Sequence, residues 1–298
     1  MAIITYKTCL CCGSTSVHKV LSCRDYTVSQ ETFEVWECAN CTFRFTRNAP
    51  GEEAIAPYYQ SAAYVSHSDT KQGLVNRLYH VVRGFTLKSK CNLVADVTGQ
   101  KNGSLVDIGA GTGAFAHTMK SAGWNVTGIE PDATARNNAL KNYGLHLQES
   151  DQLHQLAASS VDAITMWHVL EHVHDLHGYL QTLRRVIKPS GKLFIAVPNY
   201  TSYDAKVYQQ HWAAYDVPRH LHHFSPKSMK VLLENQGFVL EAVKPMWFDS
   251  VYVSMLSEQY QQGRSNFVKA LWIGMMSNLR AVVDVQKCSS VIYIISKQ

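Results

Sequence analysis

The chain has 298 residues, 46% of them hydrophobic and 17% charged, with a formal net charge of +5. This is the balance of a soluble globular protein, long enough for one large domain or two smaller ones. No block of like charge stands out, which argues against an extended nucleic-acid face, and no apolar run is long enough to span a membrane. The first residues, Met1 to Lys7, lack the apolar core of a signal peptide. The cytoplasm is therefore the expected compartment, where cysteines stay reduced.

Six of the eight cysteines fall within the first 41 residues. Cys9-Leu-Cys-Cys12 and Cys38-Ala-Asn-Cys41 form two C-x-x-C knuckles separated by 25 residues. Each knuckle turns two thiolates toward one ion, and two knuckles complete a tetrahedron, the arrangement of structural zinc. Cys11 is the alternative partner in the first knuckle, but Gly13 after Cys12 favours Cys9 and Cys12. Four thiolates leave no open position, so the metal is expected to hold a small segment folded and not to do chemistry. Between the knuckles Phe33-Glu-Val-Trp36 alternates like a strand, and Phe43-Arg-Phe45 continues a hairpin. Asn48-Ala49-Pro50-Gly51 ends the module.

An aromatic stretch follows, with Pro57-Tyr58-Tyr59 and Tyr64 between Glu52 and Ser68. Leu74, Leu78, Val81, Val82 and Phe85 then recur at helical spacing, and Cys91 reads as a core residue. From Ser104 the pattern alternates between strand and helix. Strands are predicted at 104–108, 125–129, 145–149, 161–167, 192–197, 238–243 and 291–295, and helices near 114–122, 132–143, 174–188 and 226–237. The fold class is α/β, a doubly wound Rossmann-like sheet with ligands across the carboxyl ends of its strands.

The first of these strands runs into Asp107-Ile-Gly109-Ala-Gly111-Thr-Gly113, a glycine turn opening a helix. The second ends in Glu130, placed to take the hydroxyls of a ribose. Asp107 before the turn would repel a diphosphate and attract a cationic ligand. The pattern resembles the class I S-adenosylmethionine (SAM) methyltransferases, whose first motif is D-x-G-x-G-x-G. The resemblance implies a seven-stranded sheet with Asp107, Gly109, Gly111 and Gly113 as the SAM floor. It places the adenine near Asp151, which also suits a helix N-cap. In many relatives, an aromatic stretch like that around Tyr58 closes over the ligand; the equal alternative is a linker packed on the core.

Met166-Trp167-His168-Val-Leu-Glu171-His172 matches the family's H-V-L-E-H segment, so Trp167 is expected to line the SAM pocket and His168 to face the acceptor. Some quinone-pathway methyltransferases bind a divalent ion here through E-x-x-E-H; His168 replaces the first glutamate. Four of the 14 histidines lie in 168–177 and four in 211–223, on neighbouring strand ends. Asp216-Val-Pro-Arg219-His220-Leu-His222-His223-Phe-Ser225 is similar to a segment of sugar C-methyltransferases that carry an N-terminal zinc module. That likeness implies His220 as general base, with His222 and His223 as alternatives. Arg219 either binds an acidic acceptor or pairs with Asp216.

Residues 246–290 insert two amphipathic helices whose apolar stripe reads as core, with a lid or a homodimer face as the expected role. The expected organisation is a zinc ribbon over 1–48, a linker with N-terminal helices over 49–103, and a methyltransferase domain over 104–298. The expected activity is methyl transfer from SAM to a small-molecule acceptor such as a sugar, lipid, quinone-like compound or specialised metabolite. The alternatives are an rRNA or tRNA methyltransferase, a non-catalytic zinc-ribbon interaction protein and, more distantly, an NAD enzyme. Residues 1–50 hold five Lys and Arg against four acids, too even a balance to grip phosphates.

Overall fold

The structure is a computed structural model that describes residues 3–60, 74–264 and 266–298, except the side chains of 74–82. Tyr64 and the side chains of Leu74, Leu78, Val81 and Val82 lie outside the described residues. Three strands, β1 (Val17–Arg24), β2 (Thr32–Cys38) and β3 (Arg44–Arg47), form an antiparallel meander. Phe33 and Val35 on β2 point inward, while Glu34 between them pairs with Lys19 on β1 at 2.8 Å. A long helix, α1 (Leu74–Thr98), leads into the α/β layer.

That layer runs β4 (Ser104–Ile108), α2 (Ala114–Ser121), β5 (Asn125–Ile129), α3 (Ala133–Tyr143), β6 (Val161–Trp167), α4 (Leu176–Val186) and β7 (Ile187–Pro198). It continues through α5 (Tyr203–Tyr208), β8 (His222–His223), α6 (Pro226–Asn235) and β9 (Phe238–Pro245). The last elements are α7 (Asp249–Gln262), α8 (Phe267–Val283) and β10 (Ser290–Lys297). Local signals set the helix starts. Asp132 and Asp175 accept the backbone N–H groups of Ala135 and Gly178, and Ser225 with Ser228 forms a reciprocal capping pair ahead of Pro226.

The large sheet has the order β9-β10-β7-β6-β4-β5. Its β7, β6, β4 and β5 pairings are parallel, and β10 enters antiparallel between β7 and β9. The central strands are buried on both faces, as their Val and Ile runs require. Among the described residues six strands build the sheet, not seven. The strand expected at 145–149 meets β5 only through the parallel bridge Ile129↔Gln148. Leu147 lies over Gly128, where any Cβ would collide with it, and Gln148 to Ser150 turn out to solvent.

Two features of the architecture were not expected. First, β8 belongs to the N-terminal sheet, whose order is β8-β3-β2-β1. His222 pairs with Phe45 and His223 with Arg44, so the loop after β7 completes the cysteine module. Second, α8 presents most of its large apolar side chains outward, contrary to their reading as core, while Ile273 is buried. Val268 and Trp272 are 76% and 61% exposed, and Met275, Leu279 and Val282 continue the row, on the face expected to serve a homodimer. The inner face is built from Ala270, Gly274, Ser277 and Ala281 against Ser250, Ser254 and Ser257 of α7. Small residues let the two helices approach so closely that a Cβ at Gly274 would lie 2.8 Å from Val251 Cα. Among the described residues no helix is long and apolar enough to cross a membrane.

Candidate active site

The glycine turn after β4 has the left-handed backbone that its sequence suggests, with φ of +66°, +54° and +81° at Gly109, Gly111 and Gly113. A Cβ on Gly109 would strike Val169, and one on Gly113 would lie 2.9 Å from Ala139 Cβ. Around Gly111 there is open space, so here the missing side chain leaves room for a ligand. Glu130, at the end of β5, accepts the N–H groups of Gly111 at 2.8 Å and Asp132 at 2.9 Å. Burial raises its pKa, and those two amides oppose the shift.

Asp107 is fully buried beneath the turn and accepts the Thr165 hydroxyl at 2.7 Å. Burial pushes its carboxyl up to about 7, against the pull of Thr165 and Lys90. Trp167 stacks edge-on with Phe115, and the Lys90 ammonium lies 4.4 Å from its ring centre. The Trp167 indole N–H is buried and has no hydrogen-bond partner among the described residues. Asp151 is exposed at the start of a single helical turn, Gln152–Gln155, and makes no side-chain cap there.

On the other side of the carboxyl edge the two histidine clusters meet. The His172 and His220 rings stack edge-to-face with centres 4.6 Å apart. Glu171, His172 and His220 each bring a ligand-competent atom within 4.8 Å of the others. Glu171 is 0% exposed, and its Oε2 has no hydrogen-bond partner among the described residues. His220 Nδ1 lies 2.8 Å from the Ala214 carbonyl. A carbonyl only accepts, so Nδ1 carries a proton, and Nε2, 4.0 Å from the Asp216 carboxylate, is the ring atom left to exchange one. His172 Nδ1 donates in the same way to the Arg219 carbonyl at 3.0 Å, with the Tyr59 hydroxyl at 3.1 Å. Burial, reinforced by His220, pushes the His172 pKa down to about 4, so its ring is neutral.

The other histidines expected to supply a base are placed for different work. His222 is buried among Tyr6, Phe43 and Phe224, its Nε2 donating to the Val173 carbonyl at 2.8 Å. Burial lowers its pKa to about 4. His223 meets the Thr46 hydroxyl at 3.0 Å and the edge of Tyr215. Both belong to the N-terminal sheet. His168, at a φ of +59°, lies between Asp249 at 2.9 Å and Glu171 at 3.3 Å. Burial works against its charge, but Asp249 and then Glu171 outweigh it and hold the pKa at about 10. A histidine that keeps its proton at neutral pH is an ion-pair partner, not a base.

Arg219 is not available to an acceptor. It is 1% exposed and grips Asp216 through Nε at 3.0 Å and Nη2 at 2.6 Å. It also donates to Asp25 at 2.9 Å and to the Tyr58 carbonyl at 2.8 Å. Asp249 and Asp25 are residues that the sequence reading missed, and Tyr59 entered it only as part of an aromatic stretch. Asp25 did carry a signal, since Asp-x-Thr-Val-Ser invites the turn in which its carboxylate takes the amides of Thr27, Val28 and Ser29.

In the cysteine module, the sulfurs of Cys9, Cys12, Cys38 and Cys41 lie within 4.8 Å of one another. The Cys9–Cys41 and Cys12–Cys38 separations are 3.5 Å and 3.6 Å. Sulfurs about 2.3 Å from a shared zinc lie about 3.8 Å apart in a tetrahedron. The donor set therefore fits the ion. Cys11 is not one of these four; its thiol donates to the Ser228 carbonyl at 3.0 Å.

Residues 85–243, more than half of the chain, match a family model described as a methyltransferase domain. The chain belongs to the class I SAM-dependent methyltransferases. This methyltransferase is 29% identical over 158 residues to the ubiquinone biosynthesis O-methyltransferase of Xanthomonas axonopodis pv. citri. The match covers 49% of this chain and 66% of that relative. The human mitochondrial ubiquinone biosynthesis O-methyltransferase is 27% identical over 161 residues, 49% of this chain and 44% of the human one. Among solved structures, a SAM-dependent methyltransferase from Thermotoga maritima superposes with a TM-score of 0.50 at 19% identity, covering 75% of this chain and 96% of that one. At that identity the likeness speaks for the fold alone.

The His168 ion pairs give the methyltransferase a pH signature. An unfolded histidine titrates at about 6.5, and the folded value is about 10. The stabilisation is therefore complete below the unfolded value and is lost as pH rises through the folded one. The His168 side chain is 32% exposed, so screening trims its worth to about 1 kcal/mol. Stability relative to His168→Gln, from denaturant midpoints, should fall by that amount across this window. A difference independent of pH would show that His168 is uncharged.

Proposed function

We propose that the chain moves a methyl group from SAM to a hydroxyl of a small-molecule acceptor, with His220 as the general base. The observation that carries this reading is the His220 Nδ1–H bond to Ala214, which leaves Nε2 as the proton-exchanging atom at the carboxyl edge of the sheet beside Glu171 and His172. The ubiquinone-pathway relatives favour an oxygen acceptor on a quinone-like ring over a sugar or an amine. A polynucleotide acceptor is less favoured, because β8 occupies the β3 edge of the cysteine module and the module packs inward.

SAM supplies a methyl already activated by the sulfonium. Gly109, Gly111 and Gly113 give it a floor, Glu130 faces the ribose, and Asp107 lies where a positive charge is favoured. Trp167 and Asp151 flank this pocket as candidates for the methionine and adenine ends. On the acceptor side His220 takes the hydroxyl proton at Nε2, while neutral His172 and the buried Glu171 shape the space around it. Holding the two partners in line supplies about 7–11 kcal/mol of the barrier, and the base contributes about 10²–10⁴-fold. Cys9, Cys12, Cys38 and Cys41 hold a structural zinc.

Calorimetric titration with SAM should give micromolar binding that Glu130→Ala weakens at least tenfold. Unchanged affinity in that variant would remove Glu130 from the ribose site. In a methyl-transfer assay over phenolic and quinol acceptors, His220→Ala should lower turnover by about 10²–10⁴-fold with SAM affinity retained. Normal turnover would assign the base elsewhere. Metal analysis should find about one zinc per chain, lost together with cooperative folding of the module in Cys38→Ser. Folded, metal-free wild-type protein would overturn the zinc assignment.

A further inference from the structure

We propose that Asp25, in the cysteine module, is a positioning residue for the acceptor site: through Arg219 it holds the segment that carries His220. The inference rests on His220 as the acceptor-side base.

The Asp25 carboxylate is saturated with donors. It takes the amides of Thr27 at 3.0 Å, Val28 at 3.2 Å and Ser29 at 2.8 Å, the Ser29 hydroxyl at 2.9 Å and Arg219 Nη2 at 2.9 Å. Burial works against its charge, and Arg219 with the turn amides outweighs burial, keeping the carboxyl below its ordinary value. Asp25 is thus an anion fixed to the backbone of its own turn, a rigid post for the guanidinium. Arg219 spans from that post to Asp216 and to the Tyr58 carbonyl.

The backbone at Arg219 is the piece of chain that orders the histidine pair. Its carbonyl receives the His172 Nδ1 proton, and the next residue is His220. Other residues of the module hold the remaining faces of the segment. Thr46 donates to the His220 carbonyl at 2.7 Å and, from its amide, to the Leu221 carbonyl at 2.9 Å. Arg44 donates to the Tyr215 hydroxyl at 2.7 Å. The bond that aims His220, from Nδ1–H to Ala214, lies within the same segment. A shift of about 1 Å in such a group can cost about 10²-fold in rate.

The test compares full-length, zinc-loaded wild-type protein with Asp25→Ala and Asp25→Asn. Long-range proton–nitrogen NMR reads the His220 tautomer, and amide exchange reads residues 214–224 against β4 and β6. In Asp25→Ala, exchange in 214–224 should rise at least tenfold while that of β4 and β6 stays within twofold. The His220 ring should lose its single Nδ1–H signature, and SAM affinity should stay within twofold. Asp25→Asn keeps an oxygen for the turn and should show the same changes in smaller degree, so it serves if Asp25→Ala does not fold. An unchanged His220 signature, or exchange raised equally throughout the chain, would overturn the proposal. His220→Ala separates the two readings. Normal turnover in that variant would sink the base assignment, whereas the His220 signature and the exchange pattern in the Asp25 variants decide the positioning role.

Discussion

One buried guanidinium holds this structure to its particular shape. Arg219 lies between the carboxylates of Asp25 and Asp216, almost without solvent. Taking three charges out of water costs several kcal/mol per ion, and only close geometry offsets it. Dispersion would have packed an apolar side chain there as well. What the ions add is direction: the guanidinium fork accepts partners only in its plane. It thereby fixes how the turn after β1, the Tyr58 backbone and the loop before β8 face one another. Three segments distant in sequence meet at one point, and the acceptor-side histidines stand next to it.

The two halves of the candidate site are built on different physical terms. The SAM half is backbone: left-handed glycines, a carboxylate tied to two amides, and a buried Asp107. Most of it comes from β4, β5 and the turns that follow them, with Thr165 and Trp167 of β6 alongside. The acceptor half is side chain on side chain. His172, His220 and Glu171 take their positions from the cysteine module and the loop after β7, and His168 ties that half to α7 through Asp249. Such a division lets the acceptor half vary while the SAM half stays as it is.

What could be read from the sequence follows the same division. The strand at 104–108, the glycine turn, Glu130 and the two cysteine knuckles were legible because their signals lie within a few residues of one another. The strand expected at 145–149 had the right apolar residues but lies at an edge, where Gly128 lets Leu147 cross over and pairing shrinks to one bridge. Asp25 and Arg219 are 194 positions apart, and His168 and Asp249 are 81 apart. No periodicity links residues at such distances. His222 and His223 were misread for the same reason. Beside His220 in sequence they look equivalent, but their pairing with Phe45 and Arg44 puts them into another sheet. The row on α8 misled because apolar spacing reports a face, not which side of the helix the fold covers.

The placing of β8, a strand from the loop after β7, in the N-terminal sheet has a consequence for how the chain is made. The N-terminal module emerges first, but its β3 edge has no partner until His222 and His223 leave the ribosome. At the ordinary pace of translation, about 5–20 residues per second, that edge waits roughly 10–35 seconds. For that interval the nascent chain carries a short exposed strand edge, and Arg44 and Arg47 on β3 are the charges that discourage it from pairing with a neighbour.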